Sequence, residues 1–312
     1  MNPDPDILVK FWGVRGSIPC PGPTTVKYGG NTPSIEVRFP KEGNRLIIID
    51  AGSGIRELGL NLMATQLPKG PIQADIFLSH THWDHIQGFP FFTPIFVPST
   101  TLKVWGARTH DSEGLDQTMG DQMSYRYFPI RGVELAARIE YLHLQEGQVD
   151  LGDGIILHTH YLNHPVLCLG YRFEYRGKVF CTSFDTEPYR NLFCTDPNDP
   201  DYDAGIVREA ELAVREQNEA ADRFISGADL VVYDAQYTQT EYEAGKIGWG
   251  HTPMEYACRA GVRNQVKSLA LFHHDPLRTD QQLDELALKH GEPGAYGPTE
   301  IFFAKEGLSV AI

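Results

Sequence analysis

The sequence predicts a layered α/β fold on three observations: short apolar runs of strand length, stretches of helical period between them, and polar residues recurring where the strands end. Residues 7–12 read as a strand, followed by a glycine- and proline-rich loop over 13–30. Residues 34–39 alternate, and 46–50 form a continuous apolar run closed by Asp50, as a strand buried on both faces would. Ile55, Leu58 and Leu62 then fall at helical spacing. Residues 74–79 and 101–106 read as further buried strands, and 157–161 alternate. Residues 166–175 and 178–183 predict a hairpin turning at Arg176 and Gly177. The Asp- and Pro-rich stretch 195–203 predicts an exposed loop, and 206–224, rich in Glu, Ala and Arg, a helix. Short apolar strands follow at 230–234 and 268–272, with helices at 252–260 and 280–290 and Pro253 in a first helical turn. Residues 301–304 and 308–312 predict a closing hairpin.

Of the 312 residues, 41% are hydrophobic, enough for one large core or two small ones. The net charge of −14 is spread without a dominant block, which disfavours tight binding to polyanions but permits a small anionic substrate drawn in by metal. The five cysteines are odd in number and form no CxxC pair, so buried thiols in a reducing compartment are expected. The polar stretch 1–6 lacks the pattern of a signal peptide, and no apolar run approaches the roughly 20 residues of a membrane span. Cytoplasmic residence without membrane contact is the expectation.

The chemistry concentrates in Ser79-His80-Thr81-His82-Trp83-Asp84-His85. His80 and His82 are two apart, so an extended backbone turns both to one side, while Asp84 and His85 follow where the chain must turn. Imidazole with carboxylate suits Zn²⁺, Mn²⁺ or Fe, and four ligands from one loop can serve two metals. The plain alternative is a loop of solvated histidines, but chance rarely sets this spacing directly after an apolar strand.

The hexad His80-Thr81-His82-Trp83-Asp84-His85 resembles the signature of the metallo-β-lactamase superfamily. Residues 46–54, ending Asp50-Ala51-Gly52-Ser53-Gly54, resemble the strand and turn that precede it there. The run from His164 to Glu174 is similar to the third-histidine segment of ribonuclease Z-like members. Residues 180–186 resemble their Gly-Asp-Thr segment, with Phe184 in place of the usual glycine. Gly250-His251-Thr252-Pro253 and Leu271-Phe272-His273-His274-Asp275-Pro276 match the last two motifs. The resemblance runs from about residue 7 to the C-terminus in the family's order. It implies an α/β fold of the four-layer αββα sandwich type, two mixed β-sheets flanked by helices. A single domain over 1–312 is expected, with an acidic, partly helical insertion at about 186–226.

The resemblance also implies a ligand set. One metal would take His80, His82 and His164, the other Asp84, His85 and His273, with Asp185 bridging and a hydroxide between the metals as nucleophile. Two divalent ions are implied, Zn²⁺ first, with Mn²⁺ or Fe as alternatives. His273 is preferred to its neighbour His274, because strand neighbours face opposite ways. His164 is preferred to His158 and His160. His251 would meet the substrate phosphate and protonate the leaving oxygen, oriented by Asp234. Asp234 is one methylene shorter than the Glu of ribonuclease Z-like relatives. Asp50 is expected to accept a ligand's ring N–H rather than bind metal. Arg15, in the Trp12–Pro19 stretch typical of phosphodiesterase-like relatives, and Asn31 after Gly29-Gly30 are substrate-phosphate candidates, set against simple turn chemistry.

A phosphodiesterase acting on a small or cyclic phosphodiester, such as a cyclic nucleotide, is the leading expectation, with nucleic acid disfavoured as a partner and a homodimer fitting general precedent. The alternatives are a tRNA 3′-processing nuclease of ribonuclease Z type, an acyl or thioester hydrolase of the same superfamily, and a metal-holding sensor without turnover. Only 20 residues separate His164 from Asp185, which leaves no room for the long arm of ribonuclease Z.

Overall fold

The computed structural model describes residues 4–108, 114–292 and 294–312. Its first half contains β1 (Leu8–Gly13), β2 (Ser34–Phe39), β3 (Arg45–Ile49), α1 (Ile55–Thr65), β4 (Gln73–Phe77), α2 (Trp83–Ile86), β5 (Thr101–Ala107), α3 (Leu115–Asp121), β6 (Arg138–Leu144) and β7 (Gly147–Asp150). The second contains β8 (Ile156–Leu162), β9 (Cys168–Tyr175), β10 (Lys178–Ser183), α4 (Ala204–Ile225), β11 (Leu230–Asp234), α5 (Gln239–Glu243), α6 (Met254–Arg263), β12 (Ser268–Phe272), α7 (Asp280–His290), β13 (Glu300–Phe303) and β14 (Ser309–Ala311).

The strands form two seven-stranded sheets, ordered β14-β1-β2-β3-β4-β5-β6 and β13-β12-β11-β10-β9-β8-β7. Both are mixed in the same way. Antiparallel pairing joins β14, β1, β2 and β3, and parallel pairing joins β3, β4, β5 and β6. In the second sheet β7 to β10 pair antiparallel and β10 to β13 parallel.

Alternation sets the layers. Ile35, Val37 and Phe39 of β2 and Ile47 and Ile49 of β3 enter the core between the sheets, where they meet Leu157, Tyr171, Phe173, Phe180, Val232 and Phe272. Leu46 and Ile48 face the other way, under Ile55, Leu58 and Leu62 of α1 and Leu115 and Met119 of α3. On the far side, Val231, Leu269 and Leu271 pack against Ala257 and Cys258 of α6 and Leu283 of α7. Helices, sheet, sheet and helices are the four layers of the αββα sandwich. Burial on both faces explains why β3 reads as an unbroken apolar run.

Two expectations differ from the structure, and two strands were not expected. The closing hairpin is absent: β13 extends the second sheet beside β12, whereas β14 pairs with β1 in the first. The chain crosses the sandwich at residues 304–308, where Glu306 N–H donates to Tyr28 O and Gly307 N–H to Phe11 O. Two alternating strands with a short link look alike whether they pair together or cross over. Pro253 is the N-cap of α6 rather than a first-turn residue. Strands β6 and β7 escape sequence reading because β6 mixes apolar and charged residues with only Leu144 buried, and β7 is four residues at a sheet edge. The hairpin at Arg176-Gly177 forms in register, Tyr175 opposite Lys178, with φ of 50° and 76° at the two turn residues, as a tight two-residue turn demands. No helix among the described residues is long and apolar enough to cross a membrane.

Parallel strands point the same way, so their C-terminal ends align. Asp50 follows β3, the loop from Leu78 to His85 follows β4, Asp185 follows β10, Asp234 ends β11 and His273 follows β12. The two sheets meet at this edge, where Leu169 N–H donates to Ser79 O at 2.8 Å and the Tyr171 hydroxyl donates to Leu78 O.

Candidate metal centre

After β4 the chain stays extended through His82 (φ −61°, ψ 150°), then closes into the single turn of α2. Extended backbone turns the rings of His80 and His82 to one side, and the turn brings Asp84 and His85 to the other. Two donor sets built on Asp185 result: His80, His82, His164 and Asp185, and Asp84, His85, Asp185 and His273, the donor atoms of each lying within 4.8 Å of one another; a third group, Asp234, His251 and His273, lies beside them. Asp185 belongs to both. Its Oδ2 lies 3.5 Å from His80 Nε2 and 3.3 Å from His85 Nε2, and its Oδ1 lies 3.3 Å from His273 Nε2. Asp84 Oδ2 lies 3.4 Å from His85 Nε2 and 3.2 Å from His273 Nε2.

The outer ring nitrogens are held from behind. Asp50 lies 2.7 Å from His85 Nδ1 and accepts the Ser79 N–H and hydroxyl. Gly250 O lies 3.0 Å from His164 Nδ1, and Gln236 Oε1 3.0 Å from His273 Nδ1. These contacts aim Nε2 of all three imidazoles at the centre. Asp84 is fixed by the Ser17 N–H at 2.7 Å. Asp50 and His273 both take left-handed backbone, φ 59° and 60°, which costs roughly 1–3 kcal/mol at a non-glycine residue and persists where surrounding bonds over-determine it.

The electrostatics suit cations. Burial pushes His80 well below the usual imidazole range, lowers His82, and brings His164 down to about 4, so these rings are neutral donors. Burial opposes charge on Asp84 and Asp185, yet the neighbouring imidazoles outweigh it and hold both carboxyls ionised. At His85 burial is again outweighed, by Asp185, Asp84 and Asp50, and the ring is raised well above its ordinary value. His80 Nε2, His85 Nε2 and Asp185 Oδ1 are buried without a hydrogen-bond partner among the described residues. Inward, unpartnered nitrogens around ionised oxygens fit a pair of divalent ions.

His251 stands beside the second donor set, its ring stacked on that of His273 at 4.9 Å and tilted towards that of His164 at 5.7 Å. Its Nδ1 lies 3.1 Å from Asp234 Oδ2, which also accepts the Thr186 and Thr252 N–H groups. The shorter acidic side chain therefore reaches. Burial lowers the His251 pKa, but Asp234, with Asp185 and Asp84 behind it, raises it to about 9.

Other expected residues lie elsewhere. Arg15 is wholly buried, donating to the carbonyls of Gly29, Asp275 and Arg278, so it braces the loop after β1 against the turn after β12, in keeping with the turn-chemistry reading. Asn31 is likewise engaged internally, donating to Glu306 and accepting from the Ser53 hydroxyl. His274 faces away from the centre, donates through Nε2 to Ala304 O, and is lowered by burial to about 3. His158 and His160 lie beside Glu174 and Glu146 rather than in either donor set. Sequence reading missed Gln236, although it sits two residues after Asp234 at the same strand exit, and missed Ser17, which acts through backbone and leaves no side-chain signal.

The glycine before Ser17 is a close-approach position: a Cβ on Gly16 would fall 2.4 Å from the His273 ring. Gly16→Ala is expected to displace that ring, lowering bound metal towards one ion and turnover by about 10–100-fold, the range for lost ligand orientation. Metal analysis and initial rates check this; unchanged stoichiometry and rate would place His273 outside the donor set.

Comparison with known proteins follows the same line. Residues 45–193 match the family model described as a Beta-lactamase superfamily domain. A Ribonuclease Z from Lactococcus lactis subsp. lactis (strain IL1403) is 26% identical over 268 residues, 78% of this chain and 83% of that one. The metallo-beta-lactamase fold protein YhfI from Bacillus subtilis superposes with a TM-score of 0.64 at 17% identity, covering 99% of each chain. A diphosphatase of the PhnP family superposes at 0.63 with 15% identity, covering 98% of each. The structural likenesses establish the fold. The curated relative is named for action on RNA, which does not favour the expectation that nucleic acid is a disfavoured partner.

Proposed function

We propose, from the premise that this chain belongs to the metallo-β-lactamase superfamily, that it is a dinuclear-metal phosphodiesterase acting on a small or cyclic phosphodiester. His80, His82, His164 and Asp185 would hold one cation, and Asp84, His85, His273 and Asp185 the other. Zn²⁺ suits these donors, and Mn²⁺ or Fe are compatible with them. The ions, when bound, supply polarisation of phosphoryl oxygens and a lowered pKa for attacking water.

The chain's own residues supply the rest. Asp234 holds Nδ1 of a cationic His251 and leaves Nε2 for a substrate oxygen. A proton there meets the charge that develops on a leaving alkoxide. Asp50 and Gln236 keep His85 and His273 from rotating as the site's charge changes. The observation that carries the proposal is the convergence of the two donor sets on Asp185 beside the Asp234–His251 pair.

A second reading, cleavage of precursor tRNA, is favoured by the curated ribonuclease relatives. Against it, β9 and β10 are joined by two turn residues, which leaves no arm between His164 and Asp185 to grip a large RNA. The acidic surplus of 14 charges also works against a polyanion. The deciding experiment sets metal-reconstituted protein against bis-(p-nitrophenyl) phosphate, a panel of cyclic nucleotides, a precursor tRNA with a 3′ trailer, and a thioester. Hydrolysis of the aryl diester and at least one cyclic diester, with the tRNA intact, is the expected result. Thioester hydrolysis without any phosphodiester cleavage would sink the proposal.

A further inference from the structure

The loop from Gly245 to His251 contains backbone that needs an anchor. Gly245, Gly248 and Gly250 have φ of 137°, 87° and 81°, so the segment is rich in residues with little intrinsic preference for one conformation. It nonetheless carries His251 and the Gly250 carbonyl that holds His164 Nδ1. Its close fit is visible at Gly250, where a Cβ would fall 2.5 Å from His164 Nδ1.

The anchor is a carboxylate from another part of the chain. Glu187, 5% exposed and two residues after Asp185, accepts the Gly248 N–H at 2.8 Å on Oε1 and the Gly250 N–H at 3.0 Å on Oε2, along with the Tyr242 hydroxyl. The backbone N–H groups of this turn form a small anion-binding concavity, and the anion it closes on belongs to the protein. The Glu187 backbone is also engaged: its N–H donates to Asn163 O at 2.9 Å, and its carbonyl accepts the Asn163 side-chain amide at 2.8 Å. Asn163 immediately precedes His164. One residue thus ties together the exit from β10, the third-histidine segment and the His251 loop.

We propose that Glu187 is a positioning residue that sets the orientation of His251 for proton donation to the leaving group, by clamping the 248–250 backbone. This rests on the phosphodiesterase reading of the site. It differs from a general packing role in acting through one loop, the one that carries His251 and the Gly250 carbonyl behind His164. An amide at this position still accepts, but it presents donors to donors and lacks the charge that strengthens these bonds.

The test uses full-length, metal-reconstituted Glu187→Gln, His251→Ala and the double variant, assayed with an alkyl phosphodiester and with bis-(p-nitrophenyl) phosphate. Amide hydrogen exchange at Gly248 and Gly250 is measured in parallel. The expected result for Glu187→Gln is a kcat loss of about 10–100-fold on the alkyl substrate. KM should stay unchanged, any fall in metal content should be far smaller than the fall in kcat, and the aryl substrate, whose leaving group needs little protonation, should lose little. The loss should vanish in the His251→Ala background, and exchange at the two glycines should accelerate. A full loss persisting in that background, equal losses on both substrates, or unchanged exchange would overturn the proposal. Should the glutamine variant fail to fold, Tyr242→Phe, which removes one donor from the same carboxylate, is read by the same criteria with a smaller loss. A parent protein that cleaves neither substrate fails the phosphodiesterase reading, while exchange still decides whether Glu187 clamps the loop.

Discussion

Asp185→Asn is expected to abolish measurable phosphodiester turnover and to reduce bound metal from two ions to one or fewer, while the far-ultraviolet circular dichroism stays native. Asp185 is the one residue common to both donor sets that include the early His-Asp cluster. It lies 3.3–3.5 Å from His80, His85 and His273, and it is 2% exposed, so water cannot replace the lost charge. An amide of the same shape keeps the packing but removes the negative charge that would hold two cations close together. Losing several kcal/mol of charge stabilisation corresponds to about a thousandfold in rate, at about 1.4 kcal/mol per factor of ten. Inductively coupled plasma analysis with single-turnover kinetics provides the check. A variant that retains two ions and more than a tenth of the rate would show that Asp185 bridges nothing.

His251→Ala is expected to behave differently: two ions retained, with kcat on an alkyl phosphodiester lowered by about 10²–10⁴-fold, the usual worth of a positioned general acid. His251 lies outside the two donor sets built on Asp185, and its Nδ1 is committed to Asp234. The leaving group discriminates between roles. An aryl diester leaves as a stabilised phenolate and should lose far less than an alkyl diester. Equal losses on both, or a fall in metal content matching the fall in rate, would make His251 structural or a ligand.

The hexad 80–85 was legible because local geometry alone arranges it: a two-residue period on extended backbone, then one helical turn. Buried β3, β4, β11 and β12 were legible because each is an apolar run ended by a polar residue. The closing strands were misread because alternation reports which residues are inside, not which neighbour a strand pairs with. Arg15 stayed open between two readings for a related reason: a guanidinium in a glycine-rich loop looks available for a phosphate until carbonyls of Gly29, Asp275 and Arg278 accept from it.

What the sequence determined by itself was chemical kind: which imidazoles and carboxylates stand at strand ends, and hence the layered α/β fold and the candidate centre. What the tertiary structure decided was partnership. It joined Asp185 to residues about a hundred positions away, placed Gln236 behind His273, and closed the 248–250 turn on Glu187. Hydrogen bonds are short-ranged and directional, whereas the chain segments that make them are brought together only when two sheets, each with its own core, pack face to face.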